Sequence, residues 1–340
     1  MNTEITLVSL APCYLPSRRP VEVNIHKFQV PVSRFAPDDQ ALLHWIYETI
    51  RGIAQMGNSI NPFSNNIIAA ERHLLSEINS ALEVAARHLG SATRLAGLAD
   101  ESIRHALHDI RGGGLTVLVG LAETMKVTPG NIDLIHACVE AARDHALMMR
   151  SMLPDLDPAA AQADGPDAAQ GIWQILDKWE GVEVQGPGGT ITVTVRNACG
   201  KMTSYHPAEA AAIDRVLYNY INNAVQFAGN SRVEMWVFPV RNGLVRWVVR
   251  NHLAEGQNNY LTGNLGCDFK RLFVEGVTTD GEGIGLANCA EIVAHCFGLD
   301  SPSQAVEEQY LGSTVVDGDY YAWFHWPSST PHGCDHLSAY

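Results

Sequence analysis

From Leu75 to Met148 the apolar residues return three or four positions apart. That rhythm lays one apolar stripe along a helix and predicts helices that pack lengthwise on one another. Leu75, Ile78, Leu82, Ala85 and Leu89 make the first run, with Gly90 and Gly97 predicting a bend or break after it. Ile103, Leu107, Ile110, Leu115, Leu118 and Leu121 make the second. After the turn Val127-Thr-Pro-Gly130-Asn131, Ile132, Ile135, Val139, Ala142, Leu147 and Met148 make the third. Long helices joined by short turns pack antiparallel, and a two-helix hairpin cannot bury its stripe alone. Two hairpins paired as a four-helix bundle would bury it, so a homodimer is expected.

The later half reads differently. Thr190–Val195, Val233–Val237 and Leu244–Val249 alternate or run apolar as strands do, while Ala208–Ala228 and Leu286–Cys296 read as helices. The expected class is α+β, with the helical hairpin followed by an α/β sandwich whose one sheet carries helices on one face. Residues 154–170, rich in Ala, Asp and Pro, read as a linker between 66–153 and 171–327, with 328–340 as a tail. The first 65 residues hold alternating stretches at Val21–Ile25 and Phe28–Val32 and a helix from about Asp38 to Met56, opened by Pro37-Asp38-Asp39. Their role is not readable beyond that of a candidate input module.

Charge and cysteine usage exclude several classes. Net charge is 23 − 37 = −14 with no Lys/Arg cluster, which would repel a phosphate backbone, so no nucleic-acid partner is expected. The 7 cysteines are scattered without a CxxC pair and read as reduced thiols. His332-Gly-Cys334-Asp-His336 could chelate a metal but lies in the tail. The most apolar stretches, such as 115–122, fall far short of the roughly 18 residues of a membrane span, and Met-Asn-Thr-Glu does not open a signal peptide. A cytoplasmic protein is expected.

Three local patterns carry chemistry. The first is His105-Ala-Leu-His108-Asp109-Ile-Arg111-Gly-Gly-Gly114, in the helical half. A carboxylate directly after a histidine can hold one ring proton and leave the other nitrogen's lone pair free to attack. By itself the pair also fits a surface histidine beside a helix charge. The second is Asn219-Tyr-Ile-Asn222-Asn223, where Asn219 and Asn223 share a helix face. Amide oxygens can ligate Mg²⁺ and amide NH₂ groups can meet phosphate, although a solvated polar face reads the same way. The third is Gly281-Glu-Gly283-Ile-Gly285-Leu286, a glycine-rich turn running into a helix whose free N–H groups suit an anion. Alone it is a weak signal, and it is not the dinucleotide fingerprint.

In that order the three patterns resemble the sensor histidine kinases of two-component systems, over about residues 66–327. The resemblance implies that His108 and Asp109 belong to the phosphoacceptor box and that Asn219 to Asn223 form the N box. Gly281, Gly283, Gly285 and Leu286 then stand at the second glycine box of a gyrase/Hsp90-like ATP-binding domain. Arg271-Leu-Phe273 resembles the family's phenylalanine motif and Leu311-Gly-Ser-Thr314 its late motif. ATP and Mg²⁺ are the implied cofactors, with Asn223 on the metal. A separate response regulator is the implied partner, and the 252–280 segment a mobile lid. Input would come through the first 65 residues or from a separate sensor protein.

The departures are specific. Asn251 stands where the family's adenine-binding Asp is expected, and its side-chain oxygen can accept the same hydrogen bond. Gln226 replaces a basic residue three positions after Asn223. Gly112-Gly113-Gly114 replaces the usual Pro, which predicts a kink below His108. Gly112 also occupies the Thr or Asn position that supports phosphatase activity, so weak or absent phosphatase activity is expected. His105 competes as acceptor but is followed by Ala106, and His73, His88, His136 and His145 read as surface or bundle histidines. The alternative function is a degenerate kinase acting as a phosphotransfer hub or scaffold that uses no ATP. A clamp-like ATPase fits less well, since Asn219 stands where such enzymes carry a catalytic Glu.

Overall fold

The apolar spacing and the strand-like runs fold apart from one another. The computed structural model describes residues 3–16, 29–57, 67–112, 114–163, 171–200, 202, 207–241, 243–274, 276–277 and 283–328. The chain forms two compact units, Ile25–Gly165 and, jointly, Met1–Asn24 with Pro166–Tyr340. The first 65 residues are therefore shared: α1 (Thr3–Ser9) belongs to the sheet unit, whereas the helix α2 (Pro37–Met56) belongs to the helical one. Val21–Ile25 and Phe28 lie outside the described residues.

In the helical unit α2 is followed by α3 (Ile67–Glu77), α4 (Ser80–His88), α5 (Ser91–Leu95), α6 (Glu101–Gly112), α7 (Gly114–Val127), α8 (Ile132–Met152) and α9 (Pro158–Ala163). Pro37 and two acidic residues start α2, and Leu43, Ile46, Tyr47, Ile50 and Ile53 line its buried face. That face packs along α8, which also packs against α7, and the stripes of all three runs enter one core within a single chain. The stripe of the hairpin thus finds its cover in α2, and burying it does not itself call for a second copy. Gly90, at φ 84°, breaks the first run as expected. Asp39 Oδ1 accepts the Gly90 N–H at 2.8 Å, and its Oδ2 accepts the Thr93 N–H and hydroxyl at 2.6 Å each. The second run is helical up to Gly112 and again from Gly114; Gly113, and with it the expected kink, lies outside the described residues.

The linker's first half is folded onto this unit. Asp155 accepts the Val32 N–H through both oxygens, at 3.0 and 2.9 Å, and Asp157 Oδ2 accepts from the Tyr47 hydroxyl at 2.8 Å. Apolar periodicity could not announce this, because the contacts are polar and lie 123 and 110 residues apart in sequence. Residues 164–170 and 329–340 lie outside the described residues.

The sheet unit adds α10 (Ile172–Asp177), β1 (Glu183–Gly186), β2 (Gly189–Asn197), α11 (Pro207–Gln226), β3 (Ala228–Val240) and β4 (Leu244–Leu253). Then come α12 (Glu255–Asn259), α13 (Gly285–Cys296), α14 (Pro302–Glu307), β5 (Leu311–Val316) and β6 (Asp319–Pro327). Six strands run in the order β1-β2-β3-β4-β6-β5, antiparallel except for the parallel pair β2 and β3. The class is mixed α+β, with α11 and α13 on one face of the sheet.

The expected helices cover one face; the other is covered by the N-terminal segment. Leu7 and Ala11 cover Val248, Tyr321 and Trp323 on it. Arg246, fully buried in β4, holds this segment: its Nη1 donates to Leu7 O and Val8 O at 3.0 Å each, its Nη2 to Ala11 O and Pro12 O at 2.8 Å each. Its Nε donates to His325 Nε2 at 2.9 Å, so the proton of His325 sits on Nδ1 and is donated to Tyr310 O at 3.0 Å. Burial pushes His325 down to about 3, and the Arg246 charge acts in the same direction. A guanidinium that caps the last carbonyls of a short helix supplies the donors its C-terminus lacks.

Candidate functional site

In α6 the buried positions Ile103, Ala106, Leu107 and Ile110 fix which way the helix faces. Asp109 lies on the buried side, its side chain 2% exposed, while His108 is 27% exposed at the edge. His108 Nδ1 stands 3.2 Å from Asp109 Oδ1. An ionised carboxylate only accepts, so this contact puts the proton on Nδ1 and the lone pair on Nε2. His105, the competing acceptor, is buried with 6% exposure. His73, His88 and His136 are exposed, and His145 in α8 is fully buried.

In the sheet unit, α11 lies against β3, β4 and β6. Asn219 is buried on it, its Nδ2 donating to Arg215 O at 2.8 Å, and Asn223, one turn on, is half-buried. Gln226 ends the helix exposed. Along β4 side chains alternate between faces; Arg246 and Val248 face the N-terminal segment, so Trp247, Val249 and Asn251 face the helices. Asn251 is buried, its Nδ2 donates to His252 O at 3.3 Å, and its Oδ1 has no hydrogen-bond partner among the described residues. Its neighbour across the ladder is Tyr320, whose hydroxyl burial pushes up to about 12. A buried acceptor without a donor suits a ligand that brings an N–H, which an adenine amino group does.

Of the glycine turn, Gly281 lies outside the described residues. Gly283 has φ 66°, and a Cβ there would stand 2.9 Å from the Gly276 backbone. The two glycines bracket the turn, with Gly276 N–H donating to Gly283 O at 3.3 Å. Gly283 therefore has a packing reason to be glycine. Gly285 and Leu286 open α13, whose N-cap residue Ile284 makes no side-chain cap, and the first N–H groups of such a helix suit an anion. Arg271-Leu-Phe273 forms a 3-10 turn with Phe273 buried, and Leu311-Gly-Ser-Thr314 lies in β5. The expected lid is partly built into structure: α12, a π turn at Tyr260–Asn264 and the turn at Phe269–Phe273 lie within it.

Sequence reasoning passed over Tyr320 because it missed β6, although Asp317-Gly318 between two apolar runs is a hairpin signal. It passed over Arg246 as well, since a lone arginine in a strand gives no sign that it will be buried.

No family model matches the chain, and no curated protein matches it. Solved structures similar to it include full-length ShkA in complex with AMPPNP, at 19% identity and a TM-score of 0.32, covering 64% of this chain and 43% of that one. The mycobacterial sensor histidine kinase MprB is 15% identical, with a TM-score of 0.29 and coverage of 41% and 81%. The Acinetobacter baumannii histidine kinase AdeS is 10% identical, with a TM-score of 0.27 and coverage of 66% and 98%. These three neighbours are sensor histidine kinases, and this chain spans less than half the length of ShkA. Among the described residues no helix is long and apolar enough to cross a membrane.

Proposed function

We propose that the chain is an ATP-dependent protein-histidine kinase with His108 as phosphoacceptor. The observation that supports ATP use is Asn251 Oδ1, a buried acceptor without a donor among the described residues. In this reading it would take a hydrogen bond from the adenine amino group, as the family's Asp does. Asn219, Asn223 and the uncapped N-terminus of α13 with Gly283 and Gly285 would meet the phosphates, and Leu286 would close that side. Gly281 belongs to the same turn. Asn223 would give Mg²⁺ one amide oxygen, the other ligands being phosphate oxygens and water. Bound there, Mg²⁺ supplies charge neutralisation on the phosphates.

His108 Nε2 attacks the γ-phosphorus in line, the Nε2–P bond forming as the bond to the bridging oxygen breaks and ADP leaves. Asp109 holds the Nδ1 proton throughout and balances the positive charge that builds on the ring. The phosphoryl group then passes to an aspartate of a separate response regulator. A homodimer belongs to this reading through a surface other than the buried stripe; Trp45 and Val84 are exposed on the helical unit.

The test is incubation with γ-labelled ATP and Mg²⁺, reading acid-labile, base-stable label on the protein. Wild type should take label, and His108→Gln, Asn223→Ala and Asn251→Leu should not. Label surviving His108→Gln would move the acceptor elsewhere. Label absent from a folded wild type that binds no ATP, but present after treatment with phosphoramidate, would establish the phosphotransfer hub instead.

A further inference from the structure

Asn251 differs in one chemical respect from the carboxylate that the resemblance places there. A carboxylate only accepts hydrogen bonds, whereas an amide accepts through its oxygen and donates through its nitrogen. Asn251 is 2% exposed. Its Nδ2 donates to His252 O at 3.3 Å, beyond the usual length of an N–H···O bond, and its Oδ1 has no partner among the described residues. The two ends of the amide are alike in size. A half-turn of the amide group therefore exchanges them within the same packing, at the expense of that one long bond.

The strands around Asn251 add no group of fixed sense. Residues paired across a ladder share a face, and Asn251 faces the helices. On that side Val233 and Tyr320 flank Asn251, and Met235 and Ala322 flank Val249. On β5, Val315 pairs with Tyr320 and Ser313 with Ala322. None of these side chains is charged. The polar ones besides Asn251 are hydroxyls, which donate or accept as they rotate.

A purine presents opposite senses in its two common forms. A 6-aminopurine donates from N6 and accepts at N1, whereas a 6-oxopurine accepts at O6 and donates from N1. An acceptor-only carboxylate suits the first and repels the second. An amide suits either, one in each of its orientations. Ribose and triphosphate are common to both, so Asn219, Asn223 and the glycine turn would meet them alike.

We propose that the nucleotide site accepts 6-oxopurine as well as 6-aminopurine nucleoside triphosphates, with Asn251 setting that breadth by turning its amide. The proposal rests on the reading of Asn251 as the base-recognising residue of an ATP site, and it widens the substrate class of that site. ATP keeps an advantage, because it leaves the bond to His252 O in place; one such bond corresponds to a factor of about two to ten in affinity.

The test is calorimetric titration of the full chain, in Mg²⁺, with ATP and with ITP, whose base carries the 6-oxo group and no further substituent. The Kd of ITP should lie within about tenfold of that of ATP. In Asn251→Asp the ratio of the two should widen by about a hundredfold or more, because O6 then faces a carboxylate and finds no donor. In the wild type, ITP weaker than ATP by more than the tenfold would overturn the proposal and leave the ATP site standing. A ratio unchanged in a folded Asn251→Asp would also overturn it, since the base would then be chosen elsewhere. Should that variant not fold, the wild-type ratio decides alone. Binding of neither nucleotide would remove the ATP site and the proposal with it. Binding of both within tenfold, with no label transferred to His108, would uphold the proposal while removing the kinase reading.

Discussion

His325 and His145 are both sealed from water and both held at about 3 by burial, yet their surroundings are opposite. In the sheet unit His325 accepts from Arg246 and donates to Tyr310 O, so both nitrogens are used and the ring locks one tautomer. In the helical unit neither nitrogen of His145 has a hydrogen-bond partner among the described residues. The first is a structural joint: it orients Arg246, and Arg246 holds the N-terminal segment. The second is a polar group retained in an apolar core without a bond to compensate it. Desolvation alone therefore does not distinguish the two histidines; the state of their hydrogen bonds does.

Acid should act on both histidines, and this is the largest effect expected. Their folded pKa lies below the unfolded 6.5, so the unfolded chain takes up protons that the folded one does not. Stability is full above pH 6.5 and is lost as pH falls from 6.5 towards 3, by about 1.4 kcal/mol per pH unit for each ring. Urea unfolding at several pH values should show that slope, and His145→Leu should reduce it by one ring's share. An unchanged slope in that variant would break the comparison.

Arg246→Leu comes next. It leaves four carbonyls and His325 Nε2 without their donor, a loss on the order of 3–5 kcal/mol to the sheet unit. Hydrogen exchange should show the amides of residues 3–12 exposed first; protection there equal to wild type would mean that Leu7 and Ala11 hold the segment by packing alone. In the helical unit Asp39→Ala removes three accepted hydrogen bonds and should cost about 2–3 kcal/mol in denaturant unfolding. The smallest effect has the opposite sign. At pH 7 His145→Leu should raise stability by about 1 kcal/mol, since it removes two buried polar atoms without partners. A loss of stability would show His145 to be a packing residue after all.

Helices with one apolar stripe were legible where the spacing ran unbroken, as in α2 and α8, and the break at Gly90 could be read from glycine alone. The core strands β2, β3 and β4 were visible from alternation or apolar runs, but β6 was not. Its sequence Asp-Tyr-Tyr-Ala-Trp-Phe-His-Trp-Pro has no alternation because both its faces are covered. The site was legible as residue types, His108 with Asp109 and the asparagine pair, because a motif records chemistry in adjacent positions. Tyr320 and His145 were not singled out, since their setting is made by strands and helices distant in sequence.

By itself the sequence determined the local elements: where helices start and stop, which of their faces are apolar, and which side chains can hold a proton or offer an amide. Those properties depend on neighbours within a few residues. Only the tertiary structure decided that α2 covers the hairpin's stripe within one chain, that residues 3–16 cover the second face of the sheet, and that Arg246, Asn251 and His145 are buried. Burial is a property of what packs from elsewhere. In the interior the same arginine, asparagine or histidine turns from a solvated side chain into a group whose every bond, made or missing, has a free-energy consequence.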